Sequence, residues 1–252
     1  MMKKSMFQPK KRWLFTMPLN LCCLLLLLFV VYVGYSLGHT SRAVGTLEEY
    51  QAACGEITIV LNEDDSVALL PEESGDVGIL FYPGASVEPL AYVPFLSLLA
   101  EEGYCVYVPS FPFGMAAFDP DAAEEIMAAH PEIEAWVLAG HSLGGRTVCG
   151  FAAEDGESVL GVVVISSRID EALLDSELPV LVLYGDRDGI YGGVRADDLL
   201  PENTTVVCIP GGNHAQFGDY GRQLMDREAT LPAEEQRRVG AAEILAWLES
   251  AA

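Results

Sequence analysis

Ala135-Trp136-Val137-Leu138-Ala139-Gly140-His141-Ser142-Leu143-Gly144-Gly145-Arg146 decides how the rest of the chain is read. Its first five residues are apolar and suit a strand buried on both faces. The run then breaks into Gly-His-Ser-Leu-Gly-Gly, and a helix-like segment follows. Gly140 and Gly144 each stand two residues from Ser142, where a turn needs small residues because strand and helix nearly touch. Such a turn holds its central residue in a strained conformation and lifts the side chain clear of the sheet. The backbone N–H of Leu143, opening the helix, can then help hold an oxyanion beside Ser142. The plainer reading is a glycine-rich turn that happens to contain a serine; the strand before it and the helix after it weigh against that.

Outward from this stretch, apolar runs and helical segments alternate. Upstream, Glu56 to Leu61 and Ser66 to Leu70 read as a hairpin at a sheet edge. Val77 to Tyr82 reads as a buried strand ending in Pro83-Gly84-Ala85-Ser86, and Pro89 to Glu102 fits a helix closed by Gly103. A strand from Tyr104 to Val108 leads into a loop rich in Phe and Pro, and Asp119 to His130 reads as a helix. Asp119 suits its N-cap and Pro120 its first position. The helix after Ser142 runs to about Ala153, and Leu160 to Ile165, Val180 to Tyr184 and Thr204 to Ile209 are further strands. An amphipathic helix from Glu234 to Ser250 closes the chain. The alternation predicts an α/β fold, a mostly parallel sheet with helices on both faces. Functional groups in such sheets gather at the carboxyl ends of the strands. Only Ser167 to Pro179 separates two of the strands, which leaves no room for a large lid.

A serine hydroxyl is a weak nucleophile until a base removes its proton, and a histidine base needs a carboxylate to fix its tautomer. Of the four histidines, His39 lies beside the N-terminal apolar run, His130 ends a helix and His141 is inside the turn. His214 follows the last strand, in Gly211-Gly212-Asn213-His214-Ala215-Gln216-Phe217, and is the candidate base. The acid should follow the strand Val180 to Tyr184, where Gly185-Asp186-Arg187-Asp188-Gly189 stands. Asp188 is the first choice; Asp186, a turn cap or a partner for Arg187, and Asp170 are the others. The second oxyanion donor is expected from the loop after Tyr82, with the N–H of Ala85 as the choice. Arg146 lies on the same helical face as Ser142 and suits an ion pair or an acidic substrate group. Cys105, Cys149 and Cys208 have apolar neighbours and read as buried thiols, with a disulfide, involving Cys54 or not, left open. No spacing of Cys, His or carboxylates resembles a metal site, and no cofactor is expected.

The chain has 252 residues, 51% of them apolar, enough for a substantial core. Five of its 14 cations precede residue 13, and the other nine, all arginine, accompany 37 acids. That acidity excludes nucleic acid as a partner, because phosphate backbones are repelled. After the basic segment 1–12, residues 13–38 carry no charge, and Leu21 to Leu37 is almost continuously apolar. That length suffices to cross a hydrocarbon core of ~30 Å. The basic cluster predicts a cytoplasmic N-terminus and an extracytoplasmic remainder, a single-pass protein of the cell membrane. A cleaved signal peptide is the rival; the run exceeds its usual length of roughly 7–15 residues, and Gly34-Tyr35-Ser36-Leu37-Gly38 is a poor cleavage site. Residues 39–53 read as a tether and 54–252 as the folded domain.

From Val77 onward the chain resembles the α/β-hydrolase superfamily, most of all the small lidless group related to dienelactone hydrolases, which includes membrane-anchored bacterial members. Phe81-Tyr82-Pro83-Gly84-Ala85, Gly140-His141-Ser142-Leu143-Gly144-Gly145, Tyr184-Gly185-Asp186-Arg187-Asp188-Gly189 and Gly211-Gly212-Asn213-His214-Ala215-Gln216-Phe217-Gly218 carry the resemblance, in the family's order. It implies the α/β-hydrolase fold, with the acid at Asp188 and the base at His214. Dienelactone hydrolases use a cysteine nucleophile; Ser142 in that place implies cleavage of a carboxylic ester or related acyl bond, through an acyl-enzyme. Two other uses of the scaffold stay open: transfer of the acyl group to an acceptor other than water, and a catalytically dead binding module.

Overall fold

The computed structural model describes residues 21–31, 34, 40–154 and 158–251, and the chain divides into two compact units, Met1–His39 and Thr40–Ala252. In the first, residues 21–31 are helical and their side chains exposed. Among the described residues no helix is long and apolar enough to cross a membrane. The rest of the expected span 13–38, and the basic segment before it, lie outside the described residues.

The second unit is built on a sheet that holds eight strands among the described residues. They are β1 (Thr58–Leu61), β2 (Val67–Leu70), β3 (Val77–Tyr82), β4 (Cys105–Val108), β5 (Ala135–His141), β6 (Val159–Ile165), β7 (Val180–Gly185) and β8 (Thr204–Ile209). Their order is β1-β2-β4-β3-β5-β6-β7-β8. The first two pairings, β1 with β2 and β2 with β4, are antiparallel, and every later one is parallel. Among the described residues five α-helices accompany the strands: α1 (Leu47–Ala53), α2 (Val93–Ala100), α3 (Ala122–Ala129), α4 (Leu143–Glu154) and α5 (Ala233–Ala251).

Period-two alternation along the central strands fills two cores. Ile79, Phe81, Val137, Ala139, Val163, Ile165, Leu181 and Leu183 face one side, with Phe95, Leu96 and Leu99 of α2 and Ile244 and Trp247 of α5. Leu80, Tyr82, Trp136, Leu138, Val162, Val164, Val180 and Val182 face the other, against Val148, Phe151 and Ala152 of α4. Each such side chain taken from water contributes roughly 1.5–3 kcal/mol before the entropy of ordering is set against it. These strands are apolar on both faces because both faces are covered.

Three expectations are corrected by local chemistry. Residues 40–53 are not a tether: α1 starts at a capping box in which Thr46 and Glu49 satisfy each other's backbone N–H groups. Ser41 forms a parallel bridge to Val87, so the ordered unit begins before the expected boundary at residue 54. The helix expected over Pro89 to Glu102 splits into a 3-10 turn, Pro89–Tyr92, and α2, whose first turn holds Pro94. A proline there lacks an N–H and its ring clashes with the carbonyl four residues back, so the α-helix begins only at this point. Asp119 is not a cap: φ −151° and ψ 67° place it off the helix, which starts at Ala122. Pro120 excludes the helical conformation from the residue before it.

The strand order reverses at β3 and β5. From β3 the chain crosses to β4 on one side, and from β5 to β6 on the other, leaving a crevice beyond their carboxyl ends.

Candidate active site

Ser142 follows β5 at this switch point, at the carboxyl end of the sheet, and is half-buried. Its φ is +54°, the left-handed region that non-glycine residues avoid, and its N–H donates to the carbonyl of Ile165 at 2.9 Å. The strain persists because neighbours over-determine it. A Cβ on Gly144 would collide with the carbonyls of Tyr82 and Pro83, and one on Gly140 would come within 2.6 Å of Gly145 N. The loop after β3 packs on the turn, with Gly84 so close that a Cβ there would lie 3.5 Å from Ser142 Cβ. The N–H groups of Leu143 and Ala85, on the two sides of this contact, donate to no backbone acceptor among the described residues.

Asp188 and His214 meet at the carboxyl ends of β7 and β8, with Asp188 Oδ2 accepting from His214 Nδ1 at 2.9 Å and both side chains out of solvent. Asp188 Oδ1 accepts the N–H groups of Ile190 at 2.9 Å and Tyr191 at 2.7 Å. Burial pushes the Asp188 carboxyl up, but the hydrogen bond and charge of His214, the Tyr191 N–H and the nearby Ser166 hydroxyl outweigh it, and the group lies below the ordinary carboxylate range. Ser166 Oγ is buried near this carboxylate without a well-formed hydrogen bond, on a residue with φ +50°. With Nδ1–H donating to Asp188, His214 keeps a lone pair on Nε2, which is buried and has no partner among the described residues.

The structure places Ser142, Asp188 and His214 at the carboxyl ends of β5, β7 and β8 of one sheet, joins Asp188 to His214, and gives the other candidate acids different partners. Asp186 accepts the N–H of Gly211 at 2.7 Å, bracing the His214 loop from outside. Asp170 pairs with Arg146 at 3.1 Å and accepts the N–H of Ala172. Cys54, Cys105, Cys149 and Cys208 are all free thiols; burial pushes Cys149 up to about 12. Among the described residues no group of His, Cys, Asp and Glu gathers as metal ligands would.

Three supports of the site join residues distant in sequence. His141 is buried: Gly84 N–H donates to Tyr92 Oη at 3.0 Å, Tyr92 Oη bonds His141 Nδ1 at 2.9 Å, and His141 Nε2 bonds the His214 carbonyl at 3.1 Å. A carbonyl only accepts, so Nε2 carries the proton and Tyr92 donates to Nδ1. Burial, then repulsion from His214, holds His141 well below the ordinary imidazole range, hence neutral. Asp226 accepts from Gly189 N–H at 2.9 Å and Ala215 N–H at 3.0 Å, clamping acid loop to base loop. Gln236, fully buried on α5, exchanges two hydrogen bonds with the Asn213 backbone. A sequence signal existed only for His141, by its place in the turn.

Known proteins agree with this architecture. The structure is similar to the esterase domain of a Rhodothermus marinus protein, at TM-score 0.55 and 18% identity, over 76% of this chain and 96% of that one. It is similar to MGS-MChE2, an alpha/beta hydrolase from the metagenome of sediments of the lagoon of Mar Chica, Morocco, at TM-score 0.58 and 16% identity, over 77% and 98%. A membrane phospholipase A, described as a bacterial virulence factor, matches at TM-score 0.54 and 14% identity, over 96% and 99%. At these identities the likeness is one of fold. No curated protein matches the chain. The model of the alpha/beta hydrolase family matches residues 78–238, from β3 into α5, and the chain belongs to that family.

Proposed function

We propose that the chain is a membrane-anchored serine hydrolase that cleaves carboxylic esters. The observation that carries this reading is the buried Asp188–His214 pair, whose Nε2 has no partner among the described residues, on the same sheet end as a serine held at φ +54°. Ser142 Oγ attacks the ester carbonyl while His214 Nε2 takes its proton, and Asp188 stabilises the imidazolium that forms. The N–H groups of Leu143 and Ala85 hold the tetrahedral oxyanion. As the ester C–O bond breaks, His214 returns the proton to the leaving alkoxide. Water, activated by the same histidine, then frees the acid and restores Ser142. Two of the similar structures, an esterase domain and a membrane phospholipase A, support ester cleavage as the reaction. Anchoring rests on the uncharged residues 13–38 and the basic cluster before them. Turnover of short p-nitrophenyl esters tests the reading. The unsubstituted protein should release nitrophenol, and Ser142→Ala should lose about 10⁴–10⁶ in kcat. Equal rates for both proteins would sink it.

A further inference from the structure

Ser166 is the residue at which the chain leaves β6, the strand between the one that leads to Ser142 and the one that leads to Asp188. Backbone bonds hold it from both sides. The carbonyl of Ile165, the residue before it, accepts the Ser142 N–H at 2.9 Å, and its own N–H donates to the carbonyl of Leu183 at 2.8 Å. Its φ is +50°, in the left-handed region, and the residue is 1% exposed. Glycine takes that conformation without strain, and asparagine or aspartate with little. A serine is strained there. Its hydroxyl adds a second cost, because Oγ is shut off from water with no hydrogen-bond partner among the described residues. The turn by itself would be better served by glycine.

The neighbouring carboxylate supplies a reason for the hydroxyl. An ionised carboxylate offers about four acceptor sites. In Asp188 three are filled: Oδ1 takes the N–H groups of Ile190 and Tyr191, and Oδ2 takes His214 Nδ1–H. The side chain is fully buried, so bulk solvent does not reach the fourth. Ser166 Oγ lies close enough to favour the ionised form of Asp188. It is also the one buried hydroxyl without a partner among the described residues. The carboxylate has an open acceptor site, and the hydroxyl near it has an unused proton. The titratable groups around the pair keep a fixed charge state near neutral pH. His141, bonded to the His214 carbonyl, is neutral. Burial pushes Tyr191 up to about 12 and lifts Tyr220 well above the ordinary phenol range. Asp226 accepts the N–H groups of Gly189 and Ala215.

We infer that Ser166 is a positioning residue for the hydrolytic reaction, whose hydroxyl donates to the open acceptor site of Asp188 Oδ2 and so fixes the carboxylate toward His214. This rests on the serine-hydrolase reading above. The donated bond is strongest while the imidazole is neutral, when the charge of the carboxylate is uncompensated. It therefore favours the free base, the form that takes the proton of Ser142. Without the hydroxyl, the Asp188–His214 pair should take up its proton at higher pH. The strain at Ser166 is thus retained for what the side chain does to its neighbour.

The test uses the full chain in detergent, as Ser166→Ala, which keeps the Cβ, and as Ser166→Gly, which also relieves the strain. Isotope-labelled histidine ring nitrogens are followed by NMR across pH, and the His214 signals are identified by their loss in His214→Gln. In both variants those signals should titrate about half a pH unit higher than in the parent. The acid limb of kcat/KM for a short p-nitrophenyl ester should move the same way. On the plateau kcat should fall about threefold or more while KM stays within about twofold. Ser166→Gly should keep a cooperative urea melt, because glycine is unstrained at this φ. A serine that only shaped the turn would move neither midpoint, so unchanged midpoints in both variants would overturn the inference. The NMR titration needs no turnover, which separates the two readings. An active parent with unmoved midpoints defeats the role of Ser166 alone. A parent that cleaves no ester, with midpoints that still rise in the variants, upholds the Ser166–Asp188 contact and defeats the hydrolase reading.

Discussion

At the scale of single residues, two acids two positions apart have been given different work by one turn of backbone. Asp188 accepts a hydrogen bond from His214 Nδ1–H, whereas Asp186 accepts the N–H of Gly211. Asp188→Asn should therefore lower kcat/KM for a soluble ester by about 10⁴, because the amide favours the wrong imidazole tautomer. Asp186→Asn should cost less than tenfold, and a reversed order in the same assay would reassign the acid. His141 makes a separate, pH-dependent prediction. Its folded pKa is depressed by burial, while the unfolded imidazole titrates near ~6.5. Below that pH the unfolded chain binds a proton that the folded protein refuses, so stability is present above pH ~6.5 and is lost as pH falls, by at most ~1.4 kcal/mol per unit. Denaturant melts at pH 5.0, 6.0 and 7.5 should show this loss in the parent and a shallower one in His141→Gln. Parallel pH profiles for the two proteins would show that His141 is not the group responsible.

At the scale of elements, the turn between β5 and α4 was readable because its chemistry is local. Glycine spacing, a buried strand and a following helix lie within twenty residues, and the alternation beyond them specified the sheet. Gly144→Ala tests how tight that turn is. The added methyl meets backbone carbonyls, which cannot rotate aside as a side chain would. The variant should lose about 2 kcal/mol or more in a urea melt, together with most of the proposed esterase activity. What stayed illegible depends on partners distant in sequence. Tyr92 reaches His141 across 49 positions, and Gln236 reaches Asn213 across 23. Nothing around Tyr92 or Gln236 marks them, since a buried tyrosine or glutamine is recognised only once its partner is known. Residues 40–53 were misread for a related reason: their polar composition suits a tether, yet a capping box and one bridge suffice to dock them. Thr46→Ala, removing one half of that box, should lower stability by about 1 kcal/mol in the same melt.

At the scale of the whole molecule, an acidic hydrolase domain follows a basic, then uncharged, N-terminal segment, and the proposed activity joins the two. The sheet supplies the rigid frame on which three loops, after β5, β7 and β8, present Ser142, Asp188 and His214. That placement is the central claim, and it commits one atom to covalent chemistry. The most direct measurement is the site of attachment of a fluorophosphonate, read by peptide mass spectrometry on the full chain in detergent. The account predicts a single adduct on the peptide containing Ser142, absent from Ser142→Ala and much slower to form in His214→Ala. An adduct on another residue, or labelling that survives Ser142→Ala, would contradict it.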